Sequence, residues 1–463
     1  MKKVAFVTLG CKVNQYDTET MMKMFKDAGY EIVSFDEFAD VYIVNTCTVT
    51  AMGDKKSRQM LRRAVSSNPD AVVVATGCYS QGNSNDILSI EGVDIVTGTQ
   101  NRKDIIKLVE NVINKRNSYK KACLPKTCNV ISDFSEDLKY EELFANGSDE
   151  RNRAYVKIED GCDNFCTYCK VPYVRGPVRS RNIENIKIEV ERLVEKGYKE
   201  IILTGVHLSL YGKDFGWNPC LTDVLNTISK IDGVDRIRLS SVDPGEINDT
   251  LIDTISSTPK ICNHIHMPLQ SGDDSVLKRM NRHYTSAEFE SIAKKLKKCM
   301  PDIALTTDII VGFPGEDEQA FENTLELVKK VEFSKIHVFK YSKREGTLAA
   351  KFVDQIPEED KNERSMRLIS LGKELSLKYH KKHVDKILEI IVEKVHDASS
   401  LNPDVLSICT DESSIKSSGW IEGVTCDYVR VFAHGMAEPG ELVKVLVINA
   451  GAEFVIGKVI LSN

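Results

Sequence analysis

The sequence predicts an α/β protein in three parts: an N-terminal parallel-sheet domain, a central partial barrel of β/α repeats, and a small all-β barrel at the C-terminus. Three observations carry this. Strand-like and helix-like runs alternate through residues 1–114, a pattern that builds a parallel sheet with helices on both faces. The alternation resumes as six β/α repeats between 151 and 345. Beyond residue 387 it gives way to short strand-like runs separated by turns, the pattern of a small barrel. A chain of 463 residues has room for roughly two to four domains.

In the first part, Val4–Thr8 is a short apolar strand, and Met21, Met24, Phe25 and Ala28 follow at helical spacing. Val41–Asn45 is a second strand, followed by a helix carrying Met60, Leu61, Ala64 and Val65. Ala71–Thr76 is the continuous apolar run of a strand buried on both faces. Val93–Thr97 and a helix through Ile105, Ile106, Val109 and Ile113 complete the unit. Residues 115–150 are polar and punctuated by Pro125 and Asn146-Gly147-Ser148, and read as a linker. Cys123 and Cys128 lie in it; two thiols make half a metal site, so they read as free thiols.

The central part, 151–386, places strands at Ala154–Ile158, Glu200–Leu203, Arg236–Ser240, His264–Met267, Ile303–Val311 and Lys335–Tyr341. Helices between them show apolar spacing near 3.6, as in Ile183, Ile186, Val190 and Leu193, ended by Gly197. In such barrels the loops at the carboxyl ends of the strands carry the chemistry. Residues 357–386 read as a helix with a local excess of Lys and Arg, which could line a path for RNA phosphates or be a solvated face. From 387 to 463, strands are expected at Ile387–Val392, Trp420–Val424, Tyr428–Ala433, Leu442–Asn449 and Phe454–Leu461.

Composition bounds the function. No apolar run approaches the roughly 20 residues of a membrane span, and the basic, apolar N-terminus is too short for a signal peptide. No membrane partner is therefore expected. Thirteen unevenly spread cysteines do not make a disulfide framework, and a reducing cytoplasm is the expected setting. A net charge of −6 argues against a chain that coats nucleic acid by charge alone, and leaves room for a local basic patch.

The chemistry is concentrated in Gly161-Cys162-Asp163-Asn164-Phe165-Cys166-Thr167-Tyr168-Cys169. Cysteines spaced C-x3-C-x2-C offer soft thiolates suited to an iron–sulfur cluster, zinc or Cu(I). A 4Fe-4S cube takes four thiolates; three leave one iron open to a substrate or cofactor. A structural zinc site is closed and needs a fourth ligand, and His207 and Cys220 are far along the chain. Three more cysteines, Cys11, Cys47 and Cys78, each follow a predicted strand. Carboxyl ends of parallel strands share one sheet edge, so these can converge, with Gly10 and Gly77 allowing close backbone approach.

C-x3-C-x2-C with an aromatic before the last Cys resembles the signature of the radical S-adenosylmethionine (SAM) enzymes. The longer run Phe165-Cys-Thr-Tyr-Cys-Lys-Val-Pro-Tyr-Val-Arg-Gly176, with three cysteines in an N-terminal α/β domain ahead of it, resembles the methylthiotransferases. The wording Leu-Gly-Cys-Lys-Val-Asn-Gln-Tyr-Asp-Thr-Glu at 9–19 is similar to the branch acting on threonylcarbamoyladenosine in tRNA. The C-terminal strands resemble the TRAM domain, an RNA-binding module; small barrels of this sort bind nucleic acid on a strand face.

The resemblance implies two 4Fe-4S clusters, one on Cys162, Cys166 and Cys169 that binds SAM, and an auxiliary one on Cys11, Cys47 and Cys78. It implies that SAM is cleaved to a 5′-deoxyadenosyl radical. It also implies that two SAM serve the transfer of a methylthio group to carbon 2 of N6-threonylcarbamoyladenosine 37, beside the tRNA anticodon. Tyr168, Thr204, Gly205, Ser240, Gln270 and Asp308 are the expected SAM contacts, the last three as strand ends at the barrel mouth. Arg175, Arg179 and Arg181 are the candidates for the substrate's carboxylate, by the bidentate fork of Arg. No side-chain acid or base is expected, since a cofactor carries the hydrogen abstraction. A low-potential electron donor such as flavodoxin or ferredoxin is the further expected partner. Alternatives are methylthiolation of isopentenyladenosine in tRNA or of a ribosomal-protein aspartate, and a non-catalytic RNA-binding Fe–S sensor.

Overall fold

The structure is a computed structural model that describes residues 1–118, 127–135, 138–148, 152–401, 403–408 and 419–460. The N-terminal part runs β1 (Lys3–Thr8), α1 (Lys12–Asp27), β2 (Glu31–Val33), β3 (Val41–Thr46), α2 (Ala51–Ser67), β4 (Val72–Gly77), α3 (Cys78–Gly82), α4 (Ser84–Leu88), β5 (Ile95–Val96), α5 (Ile105–Ser118) and β6 (Cys128–Asn129). Its six strands are all parallel, in the order β2-β1-β3-β4-β5-β6. Alternate residues feed two cores. Tyr42, Val44, Val73 and Ala75 pack with Leu61 and Ala64 of α2, while Ile43, Val72 and Val74 pack with Met21 and Phe25 of α1. Helices α1 and α2 thus cover opposite faces, and the connections diverge between β1 and β3, the kind of crevice where open α/β sheets bind ligands.

The stretch read as a linker does more than connect. Cys128–Asn129 adds the sixth strand, beside β5, and Tyr140 packs over Lys157 and Arg181 of the next part. Turn residues at both ends hid a strand of only two residues. Cys128 is exposed, and Cys123 lies outside the described residues.

The central part continues β7 (Arg153–Lys157), β8 (Glu159–Asp160), α6 (Val171–Arg175), β9 (Arg179–Ser180), α7 (Ile183–Glu195), β10 (Glu200–Thr204), α8 (Leu221–Ile228), β11 (Arg236–Leu239), α9 (Asp249–Ser257), β12 (His264–His266), α10 (Asp274–Arg279), α11 (Ser286–Cys299), β13 (Ala304–Val311), α12 (Glu318–Val331), β14 (Lys335–Lys340) and α13 (Glu358–Lys381). Strands β7-β10-β11 and β12-β13-β14 form two parallel sheets. Bridges at Ile237–Ile261 and Ser241–His266 join them into an open barrel. One core fills the space between its outer face and α7, α8, α9, α11 and α12.

The C-terminal part comprises β15 (Ile387–His396), α14 (Pro403–Ile408), β16 (Trp420–Thr425), β17 (Arg430–His434), β18 (Leu442–Ala450) and β19 (Val455–Val459), and its strands close as β15-β16-β17-β19-β18. Ile390, Val392, Ile421, Val431 and Val445 fill it. The β16–β17 turn is pressed against the amino-terminal ends of the central strands. Arg238 donates to the carbonyls of Thr425 and Cys426, each at 3.0 Å, and Arg236 to that of Val424 at 3.2 Å. The Tyr428 ring lies 4.9 Å from His264 and 4.6 Å from the Arg238 guanidinium.

The helix read as basic keeps few free charges. Arg364 pairs with Glu316, Arg367 with Glu318, Glu322 and Glu363, and Lys378 with Glu332. Lys373, Lys381 and Lys386 are exposed and make no ion pair among the described residues.

Candidate active site

Strands β1, β3 and β4 are neighbours whose register aligns Thr8 with Asn45 and Asn45 with Thr76. Cys11, Cys47 and Cys78 lie just beyond these residues, so all three leave the sheet at one edge. Gly10 has φ +104°, and a Cβ there would stand 2.8 Å from Cys47 Sγ; a side chain would fill the space between the thiols. Cys11 stands at the N-cap of α1. The Val49 N–H donates to Cys47 Sγ at 3.4 Å, and Arg175 Nε to Cys78 Sγ at 3.3 Å. Burial pushes the Cys47 thiol up to about 11 and raises Cys78 despite Arg175 beside it. Both therefore hold protons at neutral pH until a metal displaces them.

The second set sits on the loop after β8. Gly161 turns it at φ +91°, where a Cβ would lie 1.9 Å from the Pro177 carbonyl oxygen. Each sulfur meets a different polar neighbour: His207 Nδ1 lies 3.6 Å from Cys162 Sγ, Arg282 Nη1 donates to Cys166 Sγ at 3.4 Å, and the Val171 N–H donates to Cys169 Sγ at 3.4 Å. Burial raises Cys162 and pushes Cys169 up to about 12. Cys169 is also close enough to Cys78 for their charges to interact. Two sets of three soft ligands, each with polar groups at hydrogen-bond distance of a sulfur, suit iron–sulfur clusters that lack one protein ligand each.

Around the mouth, Thr204 ends β10 and is buried. Gly205 leaves room for Glu159, whose Oε2 would lie 2.6 Å from a Cβ there and accepts the His207 N–H at 2.8 Å. Burial raises the Glu159 carboxyl well above the ordinary carboxylate range. Ser240 follows β11 with a buried hydroxyl that has no partner among the described residues. Gln270 holds φ +64°, its N–H bonded to the Asp308 carbonyl at 2.9 Å and its own carbonyl to the Ile310 N–H at 2.9 Å. Such a conformation in a non-glycine residue is sustained by surrounding structure and is common at binding sites. Tyr168 packs edge-on to Phe313 at 6.4 Å. Burial raises its phenol well above the ordinary value, which rules it out as an acid at neutral pH.

Asp308 departs from the sequence reading. Strand β13 runs on to Val311, so Asp308 lies within the strand and faces the barrel lumen, with Oδ2 3.3 Å from His266 Nε2.

The three arginines, expected as candidates for the substrate's carboxylate, are buried and bonded within the fold. Arg181 is fully buried and bonded to Glu189, Glu142 and the Tyr16 hydroxyl. Arg179 donates to the carbonyls of Arg175 and Pro177. Arg175 bonds Asp160 at 2.9 Å, Asp17 at 3.1 Å and Asn14 at 2.6 Å. Their partners come from distant segments, so sequence proximity to the cluster loop misled. Asp17, Asp160, Lys157 and Arg102, all buried, complete a network that joins the first two parts. Burial alone would raise Asp160, but Arg175, Lys157, Arg179 and Arg102 hold it well below the usual range.

The lumen holds a cavity of about 770 Å³, bounded by strands β11–β14, the β16–β17 turn and Lys12 of α1. The sequence reading missed Lys12, His266 and His337, which line it. His264-Ile265-His266 carried a signal, because alternate residues of a strand share a face.

Two family signatures match this chain: Uncharacterized protein family UPF0004 over residues 3–98 and the Radical SAM superfamily over 156–328. The fold is similar to that of the radical S-adenosylmethionine methyltransferase TsrM from Kitasatospora setae, with a TM-score of 0.54 and 14% identity over 73% of this chain and 75% of that one. Fold and cysteine site together define a radical SAM protein. The chain is 43% identical to the threonylcarbamoyladenosine tRNA methylthiotransferase MtaB of Bacillus subtilis, over 97% of its own length and 95% of the relative's. It is 40% identical to a tRNA-2-methylthio-N(6)-dimethylallyladenosine synthase of Clostridium botulinum, over 83% and 85%. The chain belongs to the radical SAM methylthiotransferase family.

Proposed function

We propose that this enzyme transfers a methylthio group to carbon 2 of N6-threonylcarbamoyladenosine at position 37, beside the anticodon of tRNA. The observation that carries this reading is the approach of the two three-cysteine sets, with Cys78 and Cys169 in electrostatic reach of each other. Cys162, Cys166 and Cys169 would hold one 4Fe-4S cluster and Cys11, Cys47 and Cys78 the other. With two SAM and an electron from a low-potential donor such as flavodoxin or ferredoxin, these groups would supply the radical and sulfur chemistry.

The chain's own residues bind, orient and exclude water. Arg282, His207 and the Val171 N–H stabilise thiolates in the second set, and Arg175 does so at Cys78. Ser240 and Gln270 present polar groups at the mouth for SAM, beside Thr204 and Gly205. The base must be drawn out of its stack to enter, a cost that is least in a single-stranded loop. The identity of 43% over nearly the full chain to a relative named for threonylcarbamoyladenosine supports this substrate over isopentenyladenosine. No helix among the described residues is long and apolar enough to cross a membrane. The cytoplasm, where tRNA serves translation, is the proposed place of work.

Mass spectrometry of tRNA nucleosides from a strain lacking the gene tests the reading. Methylthio-threonylcarbamoyladenosine should vanish and its unmethylthiolated precursor accumulate, with methylthio-isopentenyladenosine intact. Loss of the isopentenyl product instead would refute the substrate while leaving the family untouched.

A further inference from the structure

The lumen cavity holds polar groups that neither cysteine set uses. Across the β12–β13–β14 ladder the register places His266 beside Thr306 and Asp308 beside His337. Thr306 and Asp308 are two apart on one strand and so share a face. His266 Nδ1 lies 2.9 Å from Thr306 Oγ1 and its Nε2 3.3 Å from Asp308 Oδ2. Asp308, His266 and His337 bring their polar atoms within 4.8 Å of one another. Opposite stands Lys12, which enters from α1 of the N-terminal part. It is half-buried and makes no hydrogen bond or ion pair among the described residues. A cation in a walled cavity with no carboxylate at ion-pair distance among the described residues loses solvation that an anionic ligand placed beside it would restore. Volume also fits: about 770 Å³ lies within the usual range for a site that takes a nucleoside-sized group.

We propose that this pocket receives the polar arm of the modified base, with Lys12 pairing with the arm's carboxylate and the Asp308–His266–His337 group bonding its hydroxyl and carbamoyl N–H groups. The inference rests on the substrate reading above and adds the residues that choose it. The three arginines cannot serve in its place, since their guanidinium groups are committed to carboxylates and carbonyls within the fold. A divalent cation on the same triad is disfavoured by Lys12 and Lys335, which face His337. An isopentenyl arm would leave Lys12 without a partner, and sites built for polar groups reject ligands that lack them.

The test uses the full chain with both clusters reconstituted and iron content measured. Wild type, Lys12→Met, Lys12→Arg and His337→Leu are compared on one tRNA carrying either threonylcarbamoyladenosine or unmodified adenosine at position 37. Wild type should prefer the modified tRNA. Lys12→Met and His337→Leu should lose about 100-fold in kcat/KM on it, chiefly through KM, and Lys12→Arg should recover much of the loss. Equilibrium dialysis supplies a readout apart from turnover: the free threonylcarbamoyl nucleoside should bind wild type and escape Lys12→Met, while adenosine distinguishes neither. A preference retained in both variants, or an equal fall on both tRNAs, overturns the pocket and leaves the substrate reading standing. Wild type that modifies isopentenyladenosine tRNA instead overturns the substrate reading itself. A metal beyond the cluster iron that co-purifies with wild type and is lost in His337→Leu would assign the triad to that metal and overturn the proposal.

Discussion

Arg175 connects the first cysteine set to the buried ion network. It touches Cys78, Asp160, Asp17 and Asn14 at once while only 1% exposed. Replacing it with Met keeps the bulk and removes every donor of the guanidinium, leaving two buried carboxylates short of a partner. Breaking a buried pair on one side costs about 3–5 kcal/mol, and urea unfolding of the metal-free chain should show a loss of that order. The same network fixes a pH dependence. Asp160 and Asp17 are held below the ordinary value in the fold, so their stabilisation is present above the unfolded value of about 3.9 and fades as pH falls through the folded one. Asp160→Asn should therefore flatten the acid limb of a stability–pH curve; an unchanged limb would place the acid sensitivity elsewhere. None of these partnerships was readable from the chain order, because Arg175 and Asp17 are brought together only when α1 docks on β7. The placement of Cys11, Cys47 and Cys78 at one sheet edge was readable, since each follows a strand of a parallel sheet.

At the scale of elements, the packing of the β16–β17 turn on the central barrel depends on Arg238. It is fully buried, bonds Glu200 at 2.7 Å and holds two carbonyls of the turn. Arg238→Met would leave Glu200 to the more distant Arg153 at 3.6 Å and Arg236 at 3.8 Å. We expect a loss of about 3 kcal/mol or more and faster amide hydrogen exchange across Trp420–His434. Exchange unchanged there would show that the remaining interactions suffice. The longer strands were legible to within a few residues, because apolar runs bounded by Gly and Pro register burial directly; the two- and three-residue strands β2, β6, β8 and β9 were not. What escaped was how they dock. The free basic charge on α13 is smaller than its sequence suggests for the same reason: charge counts along a helix do not show that Glu316, Glu318 and Glu322 wait on the neighbouring α12 and its leading turn.

For the whole molecule, removing residues 387–463 is not a clean excision of an RNA-binding module, since it strips partners from Arg236, Arg238 and Tyr379. Point changes on the surface test tRNA affinity better. Lys373, Lys381 and Lys386 are exposed cations, without an ion pair among the described residues, on α13 and the turn after it. If they neutralise phosphates, changing all three to Ala should reduce the slope of log affinity against log salt by about 0.9 for each duplex phosphate no longer neutralised, measured by filter binding. A slope that does not move would place the RNA on another face.

The buried network between α1, β7 and α6 has a consequence for the seam it crosses. Charged groups this well matched do not part cheaply, so prising the first two parts of the chain from one another should cost more than separating two solvated faces, and hinge motion at this seam is the costliest place for the molecule to flex.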